Sequence, residues 1–511
     1  MTTPEPSDGV SAAPSGCPHH AAQSTTDSPE AAGASTPSPA PSSATLPPAA
    51  RSAPIVGWRA NLLGFFRDPI TTMQRLRAAH GEVVRLADAP HPPILFEEVE
   101  SRPPTVFVFG APQVKSVLTD NDRFGGGKVR GPKGTWLQAS DRSIDQRHAR
   151  QETSRRLRGA YLREHQGVVV DATQAMLERW TTLDRVHLPT EMEELCSEIA
   201  LRVLFGRSAA EARGDAFGRA SRELAHVLFS PASLIPIDLP GSPRRRLLEL
   251  TRLAQRILSD EIAGKRGSDD DDVLATLAKI QDPSQRLADD ELVFFAFGLY
   301  LAGHDVPAAG LVFALLLLSQ HPDIAADLAD EVERELGDAP PSFDDLDRLP
   351  LLDAVYRESL RVLCPALLVQ RRVKADGAEL GGHRLPPDSE VILSPFVSHH
   401  DADVFERPKA FSPTRWQSIR PTPYEYFPYS HGLHKCIGAA FAEIELKTVL
   451  AMVARAGRLQ PPAGARIDFG YTIMLRPKFR ATFRWQRDRE FHRSQVELKG
   501  KIRELVDLPS V

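Results

Sequence analysis

The stretch Tyr429–Gly438, "YSHGLHKCIG", places Cys436 two residues after His434 and two before Gly438. The apolar, helix-forming segment "AAFAEIELKTVLAMVARA" follows it directly. Because the amides at a helix start favour negative charge, we expect a lowered pKa for this thiol and ready formation of a thiolate. A thiolate can be a nucleophile or a metal ligand, whereas a buried cysteine can also be simply a small apolar side chain.

Three kinds of chemistry are open to a thiolate at this position. A nucleophile needs a base, and His434 is close, but side chains two residues apart on a loop rarely face each other productively. A zinc ion needs three or four ligands, and the local ones are His431, His434 and Cys436. Haem iron needs one strong protein ligand, and a thiolate there favours O–O cleavage. Gly432 and Gly438 would let the loop lie close to a flat macrocycle.

Composition limits the remaining possibilities. The chain has 511 residues, 42% of them hydrophobic, and a formal net charge of −5, which argues against general nucleic-acid binding. The four cysteines are widely spaced and contain no CxxC pair, so neither a disulfide framework nor a zinc site of the usual spacing is expected. With no apolar signal segment at the start, these features predict a cytoplasmic protein.

Three segments are predicted from changes in composition. Residues 1–53 are rich in Pro, Ser and Ala and are expected to be a disordered tail. Residues 54–490 alternate helical patterns with a few short β-rich runs, which predicts one mainly α domain with a minor β region. Residues 491–511 form a C-terminal extension.

The most apolar segment is Leu292–Leu318, "LVFFAFGLYLAGHDVPAAGLVFALLLL". Its length could span a bilayer, but His304, Asp305 and Pro307 interrupt it, and its leading flank is acidic. We therefore expect a helix buried in a large domain and no membrane span. Pro307 either breaks this helix or kinks it by freeing the Gly303 carbonyl, and a kink with a polar notch is the expected outcome.

At this point the sequence resembles a known family. The pattern Tyr-x-x-Gly-x-His-x-Cys-x-Gly is similar to the haem-binding loop of cytochrome P-450 enzymes, which usually starts with Phe. Three further segments match in the expected order: "AGHDV" at Ala302–Val306, "ESLR" at Glu358–Arg361 and "FSPTRW" at Phe411–Trp416. The resemblance covers roughly residues 54–490.

The resemblance implies a cytochrome P-450 fold with a long central kinked helix over the haem. It implies that Cys436 is the axial ligand of heme b, iron protoporphyrin IX, and that the oxygen side is formed by Gly303, His304, Asp305 and Val306. It also implies propionate contacts from His434 and Arg372, with His148 as a further candidate. The remaining implied feature is a buried network of Glu358, Arg361 and Arg415.

Two positions depart from the family pattern. Val306 stands where the family has a threonine whose hydroxyl helps deliver protons, so we expect Asp305, His304, a bound water or a substrate hydroxyl to deliver them. Position 152, where the propionate-binding helix usually has arginine, is Glu152. This mismatch weakens the assignment of His148.

The function implied is that of a haem-thiolate monooxygenase of the soluble prokaryotic type. It would insert one oxygen atom from O2 into a small organic substrate, with electrons from NAD(P)H through a separate ferredoxin and ferredoxin reductase. Because of Val306, the alternative is a peroxide-driven oxygenase or a rearrangement catalyst on the same fold. A helical binding or membrane protein without haem stays open as a third interpretation. Residues 125–140 and 230–240 are expected to line the substrate pocket.

Overall fold

The computed structural model describes residues 45–51, 57–91, 102–126, 147–208, 211, 216–228, 238–487 and 496–509. Most of the predicted tail and most of the two predicted pocket-lining segments lie outside these residues. Residues 44–511 form one compact unit.

Helices dominate the described chain, and several start with proline at the first position, where its missing N–H costs nothing. In chain order the helices are α1 (Trp58–Arg67), α2 (Pro69–His80), α3 (Ala111–Thr119), α4 (Arg147–Arg156), α5 (Ala160–Trp180), α6 (Leu188–Phe205), α7 (Ala216–Leu228), α8 (Pro243–Arg266), α9 (Val273–Ala278), α10 (Asp289–Gln320), α11 (Pro322–Leu336), α12 (Pro350–Val362), α13 (Pro395–His399), α14 (Ala439–Ala456) and α15 (Ile502–Leu505). Short 3-10 turns occur at Asp344–Arg348, Pro413–Gln417 and Gly432–His434.

The strands are short and form a minor part of the fold. They are β1 (Val83–Arg85), β2 (Thr105–Val108), β3 (Phe124–Gly125), β4 (Arg185–Val186), β5 (Val369–Val373), β6 (Ala378–Leu380), β7 (His383–Leu385), β8 (Glu390–Leu393), β9 (Arg458–Gln460), β10 (Asp468–Tyr471), β11 (Leu475–Lys478) and β12 (Phe483–Gln486). The largest sheet has the order β1-β2-β8-β5-β3, with β2 and β8 parallel and the other pairs antiparallel. Strands β10 and β11 form a separate antiparallel hairpin.

Helix α10 is the central element. It runs without interruption through Pro307, so the alternative of two separate helices is wrong. The helix is long and apolar enough to cross a membrane, but 72% of its most apolar window is buried, and it packs on α6, α12 and α14. It is therefore a core helix, and the mainly α fold with a minor β region is confirmed.

Residues at both ends of the described chain pack on this unit. The Ala50 amide donates to the Arg85 carbonyl at 3.2 Å, and the Arg85 amide donates to the Pro48 carbonyl at 2.8 Å. Near the other end, the Ile467 amide donates to the Lys499 carbonyl at 2.8 Å, and Ile502 is buried. Thus residues on both sides of the predicted boundaries at 53 and 491 belong to the packed structure.

Candidate active site

Cys436 lies in a tight loop that leads into α14. Its amide donates to the Tyr429 carbonyl at 2.9 Å, which closes the loop, and its sulfur is surrounded by protein atoms yet remains accessible to solvent. Burial raises the pKa of the Cys436 thiol, although the Gly438 amide, Arg150 and Lys435 oppose this effect. The expectation of a lowered pKa was therefore wrong for the protein without a metal. Burial raises the pKa of the thiol by more than the amides at the start of α14 and the nearby cations lower it. A coordinated metal ion would deprotonate this thiol outright.

Gly432 explains how the loop packs against the rest of the protein. It has a φ angle of 74°, and a Cβ at this position would lie 2.2 Å from the Leu118 carbonyl oxygen at the end of α3. Glycine is therefore required here for both the backbone angle and the close approach. The result is a Cys436 loop that lies against α3 on one side and leads into α14 on the other.

Two arginines and a histidine collect beside this loop. Arg150 on α4 donates to the Lys435 carbonyl at 3.2 Å, and Arg371 on β5 donates to Ser430 Oγ at 3.4 Å. Burial, with the charges of Arg371 and Arg150, lowers the pKa of His434 to about 4. Burial, with the charge of Arg150, also lowers the pKa of Arg371 to about 10.

This cation cluster, defined as Arg150, Arg371 and His434, has the properties of an anion site. In the part of the chain that the structure describes, no carboxylate forms an ion pair with any of the three. Burial disfavours the charged forms of these three groups, and an anionic ligand would favour them. Together with an accessible thiol, these donors fit a haem with its two propionate groups.

Two of the residues predicted to contact propionates, Arg372 and His148, lie next to carboxylates. Arg372 follows Arg371 on β5, so its side chain points to the other face of the strand, where Arg372 Nε lies 3.2 Å from Asp388 Oδ1. His148 Nε2 lies 4.0 Å from Glu152 Oε1 on α4. Of the predicted ligands, the structure brings His434 to the cation cluster, together with Arg371 and Arg150, which the sequence did not single out. The sequence alone does not show which of two adjacent arginines on a strand faces inward.

Glu358, Arg361 and Arg415 come together in one buried network. Arg361 binds Glu358 through two parallel bonds of 2.8 and 2.9 Å, and Arg415 Nε donates to Glu358 Oε1 at 2.9 Å. The Ser412 amide and the Trp416 indole also donate to this carboxylate. Arg361 and Glu358 have 0% exposed side chains, so their charges are compensated entirely by protein groups.

Tyr429, which replaces the usual phenylalanine, adds a contact from the same loop. Its hydroxyl lies 2.8 Å from the hydroxyl of Tyr356 on α12. Helix α12 also carries Glu358, so this bond ties the Cys436 loop to the helix of the buried network.

The oxygen-side segment of α10 divides between two faces. Gly298, Ala302 and Val306 recur every four residues and include the more accessible positions, whereas His304 and Asp305 are buried against neighbouring elements. A Cβ at Gly303 would lie 3.3 Å from Leu204 Cδ1 of α6, so this glycine allows close helix packing. The polar side chains of the notch therefore point away from the accessible face.

His304 and Asp305 differ in their contacts. His304 Nδ1 lies 2.9 Å from the Tyr300 carbonyl, and burial lowers the pKa of His304 to about 4. Asp305 contacts the guanidinium of Arg476 on β11. Burial raises the pKa of Asp305 to about 6, with Arg476 acting in the opposite direction. Near neutral pH, His304 is thus uncharged, and Asp305 can exchange a proton.

A family model described as Cytochrome P450 matches residues 47–478. "Cyclooctatin synthase" of Streptomyces melanosporofaciens is 30% identical over 427 residues, which cover 78% of this chain and 88% of that protein. "Sterol 14alpha-demethylase" of Mycobacterium bovis is 27% identical over 333 residues, covering 62% of this chain and 73% of that protein. The solved structure "Retinoic acid bound cyanobacterial CYP120A1" superposes with a TM-score of 0.72 at 20% identity, over 87% of this chain and 100% of that one.

Proposed function

Because this chain belongs to the cytochrome P450 family and is therefore an oxidoreductase of the monooxygenase type, we propose that it inserts one oxygen atom from O2 into an apolar organic substrate. The observation that carries this proposal is the accessible Cys436 thiol beside the uncompensated cation cluster. The relatives' names refer to a sterol, to cyclooctat-9-en-7-ol and to cyclooctatin. They support a substrate with a large apolar ring system.

The family cofactor is a haem-thiolate, and we propose heme b for this chain. Cys436 would hold the metal, while Arg371, His434 and Arg150 would hold the propionates in place of the predicted Arg372 and His148. When bound, the haem supplies activation of molecular oxygen. The protein's own contribution is to orient the cofactor through the Cys436 loop. Tyr429 and Gly432 fix this loop, and the Tyr429–Tyr356 contact ties it to the helix of the Glu358 network.

Proton delivery is assigned to Asp305. Val306 lies on the accessible face without a hydroxyl, and His304 is neutral with Nδ1 engaged by a carbonyl, so neither is a good donor near neutral pH. Asp305, with its pKa raised to about 6, is close to the range in which a general acid works best. Because its side chain points away from the accessible face, its proton must pass through water or through rotation of the side chain.

The electron donor is proposed to be a ferredoxin, reduced by an NAD(P)H-dependent ferredoxin reductase in the cytoplasm. Lys435 is exposed next to Cys436, with Arg150 bonded to its carbonyl. Of the other cations on α4, Arg155 and Arg156 form ion pairs with Glu152 and Asp271, which reduces the positive charge of this helix. A small positive area around Lys435 would still steer an acidic donor toward the thiolate side.

The second candidate is the peroxide-driven oxygenase or rearrangement catalyst, and Val306 is the observation that favours it. The two functions differ in what they consume. If the purified protein turned over a bound substrate equally well with hydrogen peroxide alone and with a ferredoxin, its reductase and NADPH, the second candidate would be supported.

The direct test is a Soret absorbance titration of the haem-loaded protein against lipids, steroids, terpenoids and aromatic metabolites. A shift toward the high-spin ferric band, followed by a product heavier by one oxygen atom, is the expected result. Substrate-dependent turnover without oxygen incorporation would contradict the monooxygenase assignment and leave the fold intact.

A further inference from the structure

The contact between Tyr356 and Tyr429 is one that a loop of the usual family pattern could not make. The two hydroxyl oxygens lie 2.8 Å apart, and either group can donate. Tyr356 is buried on α12, whereas Tyr429 lies in the Cys436 loop at the position where the family usually has phenylalanine. Burial raises the pKa of both phenols, so both stay protonated near neutral pH. Phenylalanine at position 429 would keep the ring but leave the Tyr356 hydroxyl without this partner.

Tyr429 stands beside a strained turn of the Cys436 loop. Ser430 has a φ angle of 58°, in the left-handed region that residues other than glycine rarely adopt. The Ser430 amide donates to the Phe427 carbonyl at 3.0 Å, and the Cys436 amide donates to the Tyr429 carbonyl at 2.9 Å. Such a conformation persists where the surrounding contacts hold it in place. An anchor on the Tyr429 side chain therefore acts on both the turn and the position of Cys436.

A second contact joins the same helix to the chain that follows Cys436. Lys447 on α14 is buried, and its Nζ lies 2.7 Å from Asp353 Oδ1 on α12 and 2.6 Å from Glu443 Oε1. The same nitrogen lies 5.3 Å from the centroid of the Tyr356 ring. Because Asp353 and Tyr356 are three positions apart on a helix, they share one face of α12.

The two contacts thus hold the chain on both sides of Cys436. Tyr429 precedes the cysteine, Lys447 follows it, and both reach the same face of α12. Helix α12 is itself held by the fully buried Glu358 network. Contacts behind a metal ligand orient the ligand and tune its bond to the metal. This arrangement gives α12 the role of a support for the cysteine ligand.

We propose that the hydroxyl contact between Tyr356 and Tyr429 is a clamp that keeps Cys436 coordinated as a thiolate, and that Lys447 supports the clamp from α14. Tyr356 is a positioning residue, because it acts on Cys436 through Tyr429. The proposal rests on the haem-thiolate function proposed above and identifies what preserves that ligation. In a looser loop the Cys436 thiolate takes one proton from solvent and becomes the neutral thiol, which is not a metal ligand.

The first test is hydrogen exchange, measured by mass spectrometry on the full-length protein in peptides that contain residues 429–438. Tyr429→Phe and Tyr356→Phe should each raise the exchange rate about fivefold, because each leaves one hydroxyl without its partner. The double variant should exchange no faster than the single variants, since the two hydroxyls act as one unit.

Tyr424→Phe is the matched control for this test. The Tyr424 ring lies 5.2 Å from the His431 ring and 5.8 Å from Lys115 Nζ, so the change removes a phenol hydroxyl of the same segment at another contact. This variant should exchange like the wild type. Equal exchange in the wild type and in both single variants would overturn the proposal, as would effects of the two single variants that multiply in the double variant.

The second test follows the reduced, carbon monoxide-treated haem protein in urea below its unfolding transition. The Soret band typical of thiolate ligation should disappear about fivefold faster in each single variant than in the wild type or Tyr424→Phe. Lys447→Met, which keeps the length of the side chain without its charge, should also lose the band faster than the wild type. The haem itself should stay bound during this loss, as measured by its slow transfer to excess apomyoglobin.

The outcomes separate a clamp on the ligand from a role in folding. If the single variants keep the band as long as the wild type, the clamp is wrong. It is also wrong if they lose the band only together with the far-ultraviolet circular dichroism of the helices, because the contact then serves the whole fold. Failure of the proposed function would instead appear in the wild type, as a protein that binds no haem. Hydrogen exchange would still show in that protein whether Tyr356 holds the loop.

Discussion

Glu358 and Asp305 are both buried carboxylates paired with arginine, and they differ in how many donors they have. Glu358, on the Cys436 side, accepts from Arg361, Arg415, Trp416 and the Ser412 amide. Asp305, on the oxygen side, accepts from Arg476, and burial raises the pKa of Asp305 to about 6. The difference shows that a buried carboxylate with several donors ties neighbouring segments of the fold together, whereas Asp305, with fewer donors, has a pKa that burial raises.

The largest effect is expected on the Cys436 side, where several donors surround the Glu358 carboxylate. Glu358→Gln leaves the buried guanidiniums of Arg361 and Arg415 without a counter-charge, so we expect a loss of about 3–5 kcal/mol in the free energy of unfolding. Urea unfolding of the full chain measures this loss. The control is Glu335→Gln, whose surface pair with Arg334 should contribute less than about 1 kcal/mol. An equally small loss of stability in both variants would show that the buried Glu358 network does not stabilise the fold more than a surface ion pair.

The next effect concerns haem retention on the same side. Arg371→Gln removes a buried cation from the cluster and should weaken haem binding by about 1.5–3 kcal/mol, the range for hydrogen bonds to charged groups. Arg372→Gln is the matched control, because its partner Asp388 is half-exposed. Transfer of haem to excess apomyoglobin ranks the two variants. Faster haem loss from Arg372→Gln would show that the sequence-based assignment was right.

On the oxygen side, Asp305 should make the free energy of unfolding depend on pH. Because the pKa of Asp305 is raised from 3.8 to about 6, the folded protein keeps a proton in that interval that the unfolded chain releases. Asp305 therefore lowers the free energy of unfolding as pH rises through this window. In Asp305→Asn that decrease is absent, so the stability deficit of the variant should shrink between the lower and the upper end of the window. Urea unfolding on both sides of the window measures it, and a deficit that grows with pH would mean that the pKa of Asp305 is not raised.

The smallest effect should come from Val306→Thr, which restores the hydroxyl that the family usually has. If Asp305 already delivers protons efficiently, the fraction of electrons released as peroxide should change by less than about threefold, compared with about 100-fold or more for an essential donor. Peroxide release per NADPH consumed is the measurement. A manyfold drop in peroxide would show that native proton delivery is poor.

These regions also differ in how far the sequence predicted them. The Cys436 loop and the Glu358 helix were identifiable because their short motifs resemble those of the cytochrome P-450 family. Arg371 was not singled out because neighbouring residues on a strand alternate between faces, and the register depends on pairing partners far away in the chain. The pairing of Asp305 with Arg476 was not foreseen because tertiary packing brings together two residues that are 171 positions apart in the chain. The pKa of Cys436 was wrongly expected to be lowered because burial cannot be estimated from a helix start.

The central claim is that Cys436 holds a haem as its thiolate ligand, and the most direct measurement is the absorbance spectrum of the reduced, carbon monoxide-treated protein. The wild type and Cys364→Ala, which alters a buried cysteine elsewhere, should show the Soret band typical of thiolate ligation. Cys436→Ser should lose that band, whether or not it retains haem. A colourless wild type from haem-replete cells, or an unchanged band in Cys436→Ser, would contradict the account.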